Sequence, residues 1–535
     1  MTLCSDYCII VKLIIKLRDW IGESMQDSKK TANTNIKVGI VISYITLGVT
    51  ILLYLLYTPF CLEKLGDSEY GLRSFAMSIT SYLSILTMGL SSAYIRFRLR
   101  SIKKDEENGE KKFNAIYLTI FSIIALIAVV IGIIFVLLFK FDIITLKDYS
   151  GADKAILINL LIVLGINISV SFPLSIFTQY CMAREKFIWV RLMTLIIDVG
   201  VSLLGVVVLL LGYKSVALTI VTLGVNVLIG LLNIIYCFAK LKMKMSFKLS
   251  KEDFGIVKEM LTFSIFVGIN TIVDELNSQT DPVIIGILVG TEAVTIFNLG
   301  RQFRTYLMQM STAISSSFAQ RVNEYVIENK ETELNKLFLT VSSFQMIVLF
   351  LITGGFICCG KNFISLWIGD SRLQSYDIAV CIMAMSIVPL SQNISIEVQR
   401  AKNKHKFRAI AYLFIAIFNV LISIILCKHI GIMGCVIGTV VALVLGQYIA
   451  INYYNYKVIR LPIKKYWLTY ARYFVATALA TGFTLLLGMT LKNLSNLLQL
   501  LINGVIFVVL FIAINLLINR KQVFATIHNF FKGDL

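Results

Sequence analysis

The seventh of the long apolar segments carries a seam of polar side chains. Asn270, Asp274, Asn277 and Asp281 follow one another at spacings of 4, 3 and 4, and Glu275 lies beside them. These spacings place the four residues on one face of an α-helix. A carboxylate inside a membrane costs on the order of several kcal/mol unless it is paired or hydrated. The seam therefore predicts a water-filled cavity, with the acids as candidate cavity or ion-coupling groups and the asparagines as candidate ligand-binding groups.

Two arginines, Arg301 and Arg304, lie three residues apart in the next apolar segment and so share a helix face. Asp281 and Arg301 are each about ten residues, or roughly 15 Å of helix, from the intervening turn, which places them at matching depth. One interpretation is a buried ion pair that only holds the hairpin together, and Arg304 would then still be free. The other is that these guanidinium groups, with their planar fork of donors, bind the oxygens of a diphosphate.

Further polar positions interrupt other apolar segments: Arg73, Arg96, Asp198, Asn393, Glu397 and Arg400. Arg73 and Arg96, near the two ends of the second segment, are candidate substrate ligands, but either side chain could instead extend its charge to the membrane surface. The same two interpretations hold for Arg400. Asp198 is a candidate site for a proton or Na⁺, or else a structural hydrogen-bond acceptor, and Glu397 is a candidate cavity acid.

Enzymatic and cofactor chemistry has little support in the sequence. Residues 355–361 approach a nucleotide-binding loop, but Asn362 stands where Ser or Thr should bind Mg²⁺, and an apolar helix precedes the loop instead of a strand. The three histidines have no metal-ligand spacing. We therefore expect a transporter with no cofactor or metal, whose uphill transport would draw on H⁺, Na⁺ or the membrane potential.

The elements that must position these residues are membrane-spanning helices. The chain has 535 residues, of which 57% are hydrophobic and 15% charged, and a mean hydropathy of +0.82. Apolar runs of about 20 residues, the length that crosses the hydrocarbon layer as a helix, recur almost to the C-terminus. We count fourteen, from residues 36–60 to residues 497–519. The sequence predicts an all-α polytopic membrane protein, and it lacks the alternating pattern of a β-barrel.

The net charge of +19 reflects membrane topology and not a nucleic-acid partner. With the N-terminus inside, the eight inner segments hold 38 of the 50 Lys and Arg residues. Both termini are therefore expected in the cytoplasm. Residues 1–35 predict an attached amphipathic segment because no cleavage site follows their short apolar stretch. The ten cysteines are expected to be unpaired, since they are scattered through apolar segments without ligand spacing.

The two halves of the chain resemble each other. Pro173-Leu-Ser precedes Arg184 as Pro389-Leu-Ser precedes Arg400, and the stretch from Gly89 corresponds to that from Ala313. This repeat predicts two six-helix lobes related by a pseudo-two-fold axis along the membrane normal. The predicted order is residues 36–240 for the N-lobe, 241–258 for a cytoplasmic linker, 259–456 for the C-lobe, 457–519 for helices 13 and 14, and 520–535 for a cytoplasmic tail.

Two stretches carry a resemblance to a known family: LGDSEYGLRSFAMSITSYLSILTMGLSSAYIRF, and TDPVIIGILVGTEAVTIFNLGRQFRTYLMQMSTAISSSFAQRV. They resemble the polysaccharide-transport branch of the multidrug, oligosaccharidyl-lipid and polysaccharide exporter superfamily, the flippases for O-antigen and capsule repeat units. The likeness covers roughly residues 36–456. It implies alternating access between two lobes, with a cationic cavity for an undecaprenyl-diphosphate-linked oligosaccharide. The resemblance supports Arg301 as a cavity cation and also supports Asp281 as a candidate site residue. It adds little for Asp198 or Glu397.

The leading hypothesis is a flippase for lipid-linked oligosaccharides in the bacterial cytoplasmic membrane, working beside glycosyltransferases and a polysaccharide polymerase. Its alternatives are a cation-coupled multidrug exporter and a flippase for the lipid-linked peptidoglycan precursor. The second is disfavoured because residues 36–60 contain no arginine, where that branch is expected to carry cavity arginines. A polymerase or ligase usually needs a large outer loop, which is lacking, and a scaffold would not need charges at membrane depth.

Overall fold

The computed structural model describes residues 31–87, 89–105, 108–147, 150–248, 253–404, 406–491 and 493–532, and all regular structure in these ranges is helical. This confirms the predicted all-α fold. The helices are α1 (Thr31–Ser81), α2 (Leu90–Lys104), α3 (Gly109–Lys140), α4 (Gly151–Ala183), α5 (Phe187–Leu210), α6 (Ser215–Ile235), α7 (Asp253–Leu288), α8 (Thr291–Ser316), α9 (Ala319–Ile327), α10 (Glu331–Ile368), α11 (Gln374–Ser391), α12 (Ile394–Ala401), α13 (Lys406–Ile430), α14 (Ile432–Leu443), α15 (Asn452–Tyr454), α16 (Ile463–Met489) and α17 (Asn496–Lys532). The predicted amphipathic segment lies almost entirely outside the described residues.

Eleven helical stretches in the described residues are long and apolar enough to cross a membrane. The chain is therefore a multi-pass membrane protein, and the count of fourteen spans stays a prediction. Two reasons account for the difference. The first two expected spans are counted together as Leu47–Thr87, although Gly66 breaks the helix with a left-handed φ of 76°. The charged helices α7 and α8 are not among the eleven.

The helices pack mainly with neighbours from their own part of the chain. We call residues 31–240 the N-half and residues 253–459 the C-half. In the N-half α4 packs on α3 and α6, and in the C-half α13 packs on α7 and α14. The halves meet where α1 and α2 contact α7 and where α1 contacts α8, and α16 and α17 pack against α10. The lobe boundaries predicted from the repeat stay predictions.

Several helices are interrupted in the middle of apolar sequence. A 3₁₀ turn at Tyr82–Thr87 separates α1 from α2, and π-helical turns follow α6 at Tyr236–Lys240 and α14 at Val444–Ile451 and Asn455–Ile459. A π turn inserts an extra residue into the helix and is frequent at functional sites. The two prolines of the repeat behave differently, since α4 continues past Pro173 but α11 ends two residues after Pro389.

An apolar cluster joins the two halves near their predicted outer ends. It includes Phe75 of α1, Phe139 of α3, Ile285 of α7 and Phe297 of α8, all nearly inaccessible to solvent. The rings of Phe75 and Phe139 pack edge to face at 6.0 Å. Large apolar side chains elsewhere are exposed on the outside of the bundle, as at Leu517, which is 83% accessible. Such exposure is stable only where lipid is the solvent.

Candidate functional site

The polar seam of α7 lies partly at the junction of the two halves. Ser84 Oγ donates to Glu275 Oε1 at 2.8 Å, and the hydroxyls of Tyr82 and Thr280 are hydrogen-bonded at 2.8 Å. Tyr82 and Ser84 belong to the 3₁₀ turn after α1, so this turn brings polar groups of the N-half onto α7. The second oxygen of Glu275 is buried without a hydrogen-bond partner. An unsatisfied buried oxygen is costly, and it marks a position that a ligand, ion or proton would stabilise.

Asp281 lies inside the C-half and is only 5% exposed. Its Oδ2 accepts a hydrogen bond of 2.6 Å from Thr439 Oγ1 of α14, and its Oδ1 is buried with no partner. Asn419 and Ser423 of α13 are buried nearby, and they approach α14 closely because position 438 is glycine. A single carboxylate among hydroxyl and amide oxygens suits a proton or a monovalent cation. No cluster of three His, Cys, Asp or Glu side chains occurs in the described part of the chain.

Arg301 and Arg304 are half-buried on α8, and neither forms an ion pair in the described part of the chain. Arg301 donates to the carbonyl of Ser278 on α7 and lies 5.8 Å from the ring centre of Phe297. Arg304 Nε donates to Ser386 Oγ of α11 at 3.1 Å. No carboxylate of the described residues lies within 4.0 Å of either guanidinium, so the ion pair between Asp281 and Arg301 does not form. Asp281 still lies within electrostatic range of both guanidinium groups, so their two positive charges are only partly compensated by this one carboxylate.

Arg73 of α1 has a different environment, made of tyrosines. Its Nε is buried without a hydrogen-bond partner, and its charge acts on the hydroxyls of Tyr54 and Tyr70. Tyr306 of α8 lies within electrostatic range of the same two hydroxyls and accepts a hydrogen bond from Gln302. The sequence interpretation did not include these tyrosines. The sequence pattern that could have identified them is tyrosines at helical spacing inside otherwise apolar segments, because a tyrosine has an apolar ring and a polar hydroxyl.

The remaining candidates fall into two groups. The side chain of Asp274 is exposed and lies within electrostatic range of Arg400 and Arg408. The side chain of Asn277 is half-buried and forms no hydrogen bond with the described residues. The side chain of Asn270 lies outside those that the structure describes.

The others have local partners. Asp198 accepts a hydrogen bond of 3.0 Å from Thr50 Oγ1, in a contact between α5 and α1. Arg96 lies 4.9 Å from the ring centre of Phe263, and Glu397 forms an ion pair of 3.0 Å with exposed Arg400. Asn393 Nδ2 donates to Ser311 Oγ at 2.9 Å. Asp198 and Glu397 thus each have a local partner, and their roles in ion coupling or as cavity acids stay predictions.

A polar cluster that the sequence interpretation missed closes the predicted outer end between the halves. Asp67 Oδ1 accepts from Arg372 Nε at 2.6 Å, and the carbonyl oxygen of Asp67 accepts from Thr295 Oγ1 at 2.7 Å. The hydroxyls of Ser68 and Thr291 are hydrogen-bonded at 2.9 Å. We call these five residues the outer closure.

At the opposite end, Arg100 of α2 and Glu259 of α7 form an ion pair between the halves.

Comparison with known proteins adds a family and a fold. A family model described as "Polysaccharide biosynthesis protein" matches residues 36–318, more than half of the chain. The uncharacterized membrane protein EpsK of Bacillus subtilis (strain 168) is 23% identical over 408 residues, which cover 72% of this chain and 76% of that protein.

Two solved structures share the fold across most of their length. The lipid II flippase MurJ in an inward closed conformation superposes with a TM-score of 0.68 at 16% identity, covering 90% of this chain and 100% of that one. An inward-facing multidrug resistance MATE family transporter of the MOP superfamily gives a TM-score of 0.60 at 14% identity, with 80% and 99% coverage. Both likenesses concern the arrangement of helices.

Proposed function

This chain belongs to the polysaccharide biosynthesis protein family, and from that membership we propose that it moves undecaprenyl-diphosphate-linked oligosaccharides across the bacterial cytoplasmic membrane. The observation that carries this proposal is the pair of half-buried arginines on α8, which form no ion pair in the described part of the chain and share one nearby carboxylate, Asp281. Two guanidinium groups that share one carboxylate at membrane depth leave an excess positive charge, which is expensive, and an anionic substrate offsets that cost. A diphosphate provides oxygens in the geometry that arginine binds with two parallel hydrogen bonds.

The proposed roles follow from these surroundings. Arg301 and Arg304 bind the diphosphate, and Arg73 with Tyr54, Tyr70 and Tyr306 contacts the sugars, because tyrosine offers an apolar ring and a hydrogen-bonding hydroxyl. The outer closure must open for release, so substrate would enter from the predicted cytoplasmic side. Glycosyltransferases would supply the substrate and a polymerase would receive it. Both termini would then lie in the cytoplasm, as the distribution of Lys and Arg predicts.

A deletion strain tests the proposed substrate class. We expect surface polysaccharide to disappear and the lipid-linked repeat unit to accumulate in the inner leaflet, and plasmid-borne wild-type protein to restore export. The measurements are surface carbohydrate and the accessibility of the lipid-linked oligosaccharide to an external glycosidase. Loss of drug efflux with normal polysaccharide would instead identify a multidrug exporter. Arrest of cell-wall synthesis with normal polysaccharide would identify a flippase for the peptidoglycan precursor.

Asp281 is the proposed ion-coupling group because one of its buried oxygens has no partner. We expect Asp281→Asn to lower gradient-driven export by at least about tenfold, since the amide removes the charge that binds H⁺ or Na⁺. The measurement is flipping in proteoliposomes with an imposed Na⁺ or pH gradient.

The matched control is Asp377→Asn, which changes an exposed carboxylate of α11 in the same half and should keep the wild-type rate. If the Asp281 variant responds to both gradients as the wild type does, the coupling ion binds elsewhere.

A further inference from the structure

A groove opens on the outside of the C-half between the π-helical turns that follow α14, at Val444–Ile451 and Asn455–Ile459, and the start of α16. It encloses about 390 Å³, and its lining residues are Tyr448, Ile449, Asn452, Tyr453, Tyr456, Ile463, Lys464 and Trp467. Tyr453 is 65% and Ile449 57% exposed, so one wall faces the lipid. None of the residues that line this groove is a proposed substrate ligand.

The π turns explain why the groove exists. Val444–Ile451 and Asn455–Ile459 are both π-helical, which widens the helix and turns Asn452 inward. Asn452 Oδ1 accepts from Gln392 Nε2 at 2.9 Å, and Asn452 Nδ2 donates to the carbonyl of Gln447 at 2.7 Å. These buried hydrogen bonds hold the inner face of the helix in place. The outer face between Tyr448 and Tyr456 is left open to the membrane.

One end of the groove is strongly cationic. Lys464 lines the groove, Lys457 lies beside its lining residue Tyr456, and Arg460 and Lys465 are close to them in sequence. None of the four forms an ion pair with a carboxylate in the described part of the chain. The ammonium groups of Lys457 and Lys464 lie 5.8 and 5.6 Å from the ring centre of Tyr456. The Nε1 donor of Trp467 has no acceptor among the described groups of the protein. The two ammonium groups beside Tyr456 and the indole donor of Trp467 together favour an anion at this end of the groove.

We propose that this groove binds an acidic glycerophospholipid of the leaflet that faces the cytoplasm. The lipid phosphate lies between Lys464, Lys457 and the Trp467 indole, and an acyl chain lies along Ile449 and Tyr453. The distribution of Lys and Arg predicts that this end of the bundle is cytoplasmic, where acidic lipids attract basic side chains. An apolar wall that ends in a cationic and aromatic rim matches the amphipathic shape of such a lipid.

Brominated lipids, which quench tryptophan on contact, test the proposal. A variant that keeps only Trp467 (W20F, W189F and W367F) is reconstituted in vesicles of phosphatidylglycerol and phosphatidylcholine, with one lipid or the other brominated. We expect brominated phosphatidylglycerol to quench Trp467 with about a 5- to 30-fold preference, the ratio that one or two cations near an acidic headgroup supply. Adding Lys457→Gln and Lys464→Gln should abolish the preference.

A variant that keeps only Trp189 is the matched control. Trp189 also lies half-buried at the predicted cytoplasmic end of a span near basic residues, but its Nε1 donates to Asn233 and its ring stacks on Tyr236. For Trp189 we expect a clearly smaller preference for quenching by brominated phosphatidylglycerol over brominated phosphatidylcholine. Equal ratios at Trp189 and Trp467, or equal quenching of Trp467 by both lipids, would overturn the proposal in favour of general charge attraction.

A second measurement avoids tryptophan substitutions, because Trp367 donates a hydrogen bond of 2.6 Å to the Leu55 carbonyl and its loss could unfold the protein. Phosphatidylglycerol added to the intact chain in detergent should raise its Tm more than phosphatidylcholine does. The K457Q/K464Q variant should lose that difference, and a difference that persists in this variant contradicts the assigned headgroup position.

Discussion

Replacing Arg301 and Arg304 together by alanine is expected to lower export of the lipid-linked oligosaccharide by a factor of about 10² to 10⁴. Each hydrogen bond to a charged group contributes about 1.5–3 kcal/mol, and every 1.4 kcal/mol corresponds to tenfold. Among the described residues, the two side chains donate hydrogen bonds to Ser278 and Ser386 and form no ion pair, so truncation removes cations without breaking an ion pair there. The measurement is surface polysaccharide in the deletion strain, normalised to the amount of protein in the membrane.

The matched control for this double variant is Arg520→Ala. Arg520 is exposed on α17 and forms no ion pair in the described part of the chain, so its loss should leave export unchanged. Arg301→Lys with Arg304→Lys should restore part of the export, because lysine keeps the charge but loses the planar fork. Intact polysaccharide assembly in the double alanine variant would remove the basis for diphosphate binding by α8.

Gly71→Ala is expected to lower export by about tenfold or more because it prevents the outer end from closing. Gly71 of α1 packs against α8, and a Cβ added at this position would overlap the carbonyl of Thr291. Overpacking of this kind costs about 1–3 kcal/mol and would shift an open–closed equilibrium by about 5- to 150-fold. Since Thr291 belongs to the outer closure, the strain would fall on the contacts that must reform in each cycle. The measurement is again surface polysaccharide in the deletion strain.

Gly132→Ala provides the comparison, because a Cβ at that helical position in α3 meets nothing within 4 Å. Both variants add the same methyl group to an apolar helix, and only the first meets the opposite half. We expect Gly132→Ala to export at the wild-type rate. If the two variants export equally, the contact between α1 and α8 is not part of the transport cycle.

The helices themselves were predictable because their main solvent is lipid. Long apolar runs and the scarcity of charge require backbone hydrogen bonds to close within each segment, and this leaves only helices or barrels. The spacing of Asp274 and Asp281 likewise placed them on one helix face. Interruptions were harder to predict, since the 3₁₀ turn at Tyr82–Thr87 and the π turn at Val444–Ile451 depend on packing partners from other helices.

The depth of charged side chains in the membrane could be predicted from the sequence, but their hydrogen-bond partners could not. Asp281 and Arg301 were placed at matching depth on adjacent helices, and an ion pair was one of two predictions. In the folded chain Asp281 bonds to Thr439, which is 158 residues away, and Arg301 bonds to a backbone carbonyl. A side chain on a helix can turn toward any of several neighbours, and the choice depends on crossing angles and on small residues such as Gly438.

Composition and residue spacing were enough to predict the fold class, the topology and the set of charges that need a hydrated or paired environment. Those properties follow from composition and from spacing along one helix, which are local. The folded chain was needed to show which charges form ion pairs, that Asp67 and Arg372 join the two halves, and that a cationic groove opens beside α16. These features depend on contacts between segments far apart in sequence, and no local pattern specifies such contacts.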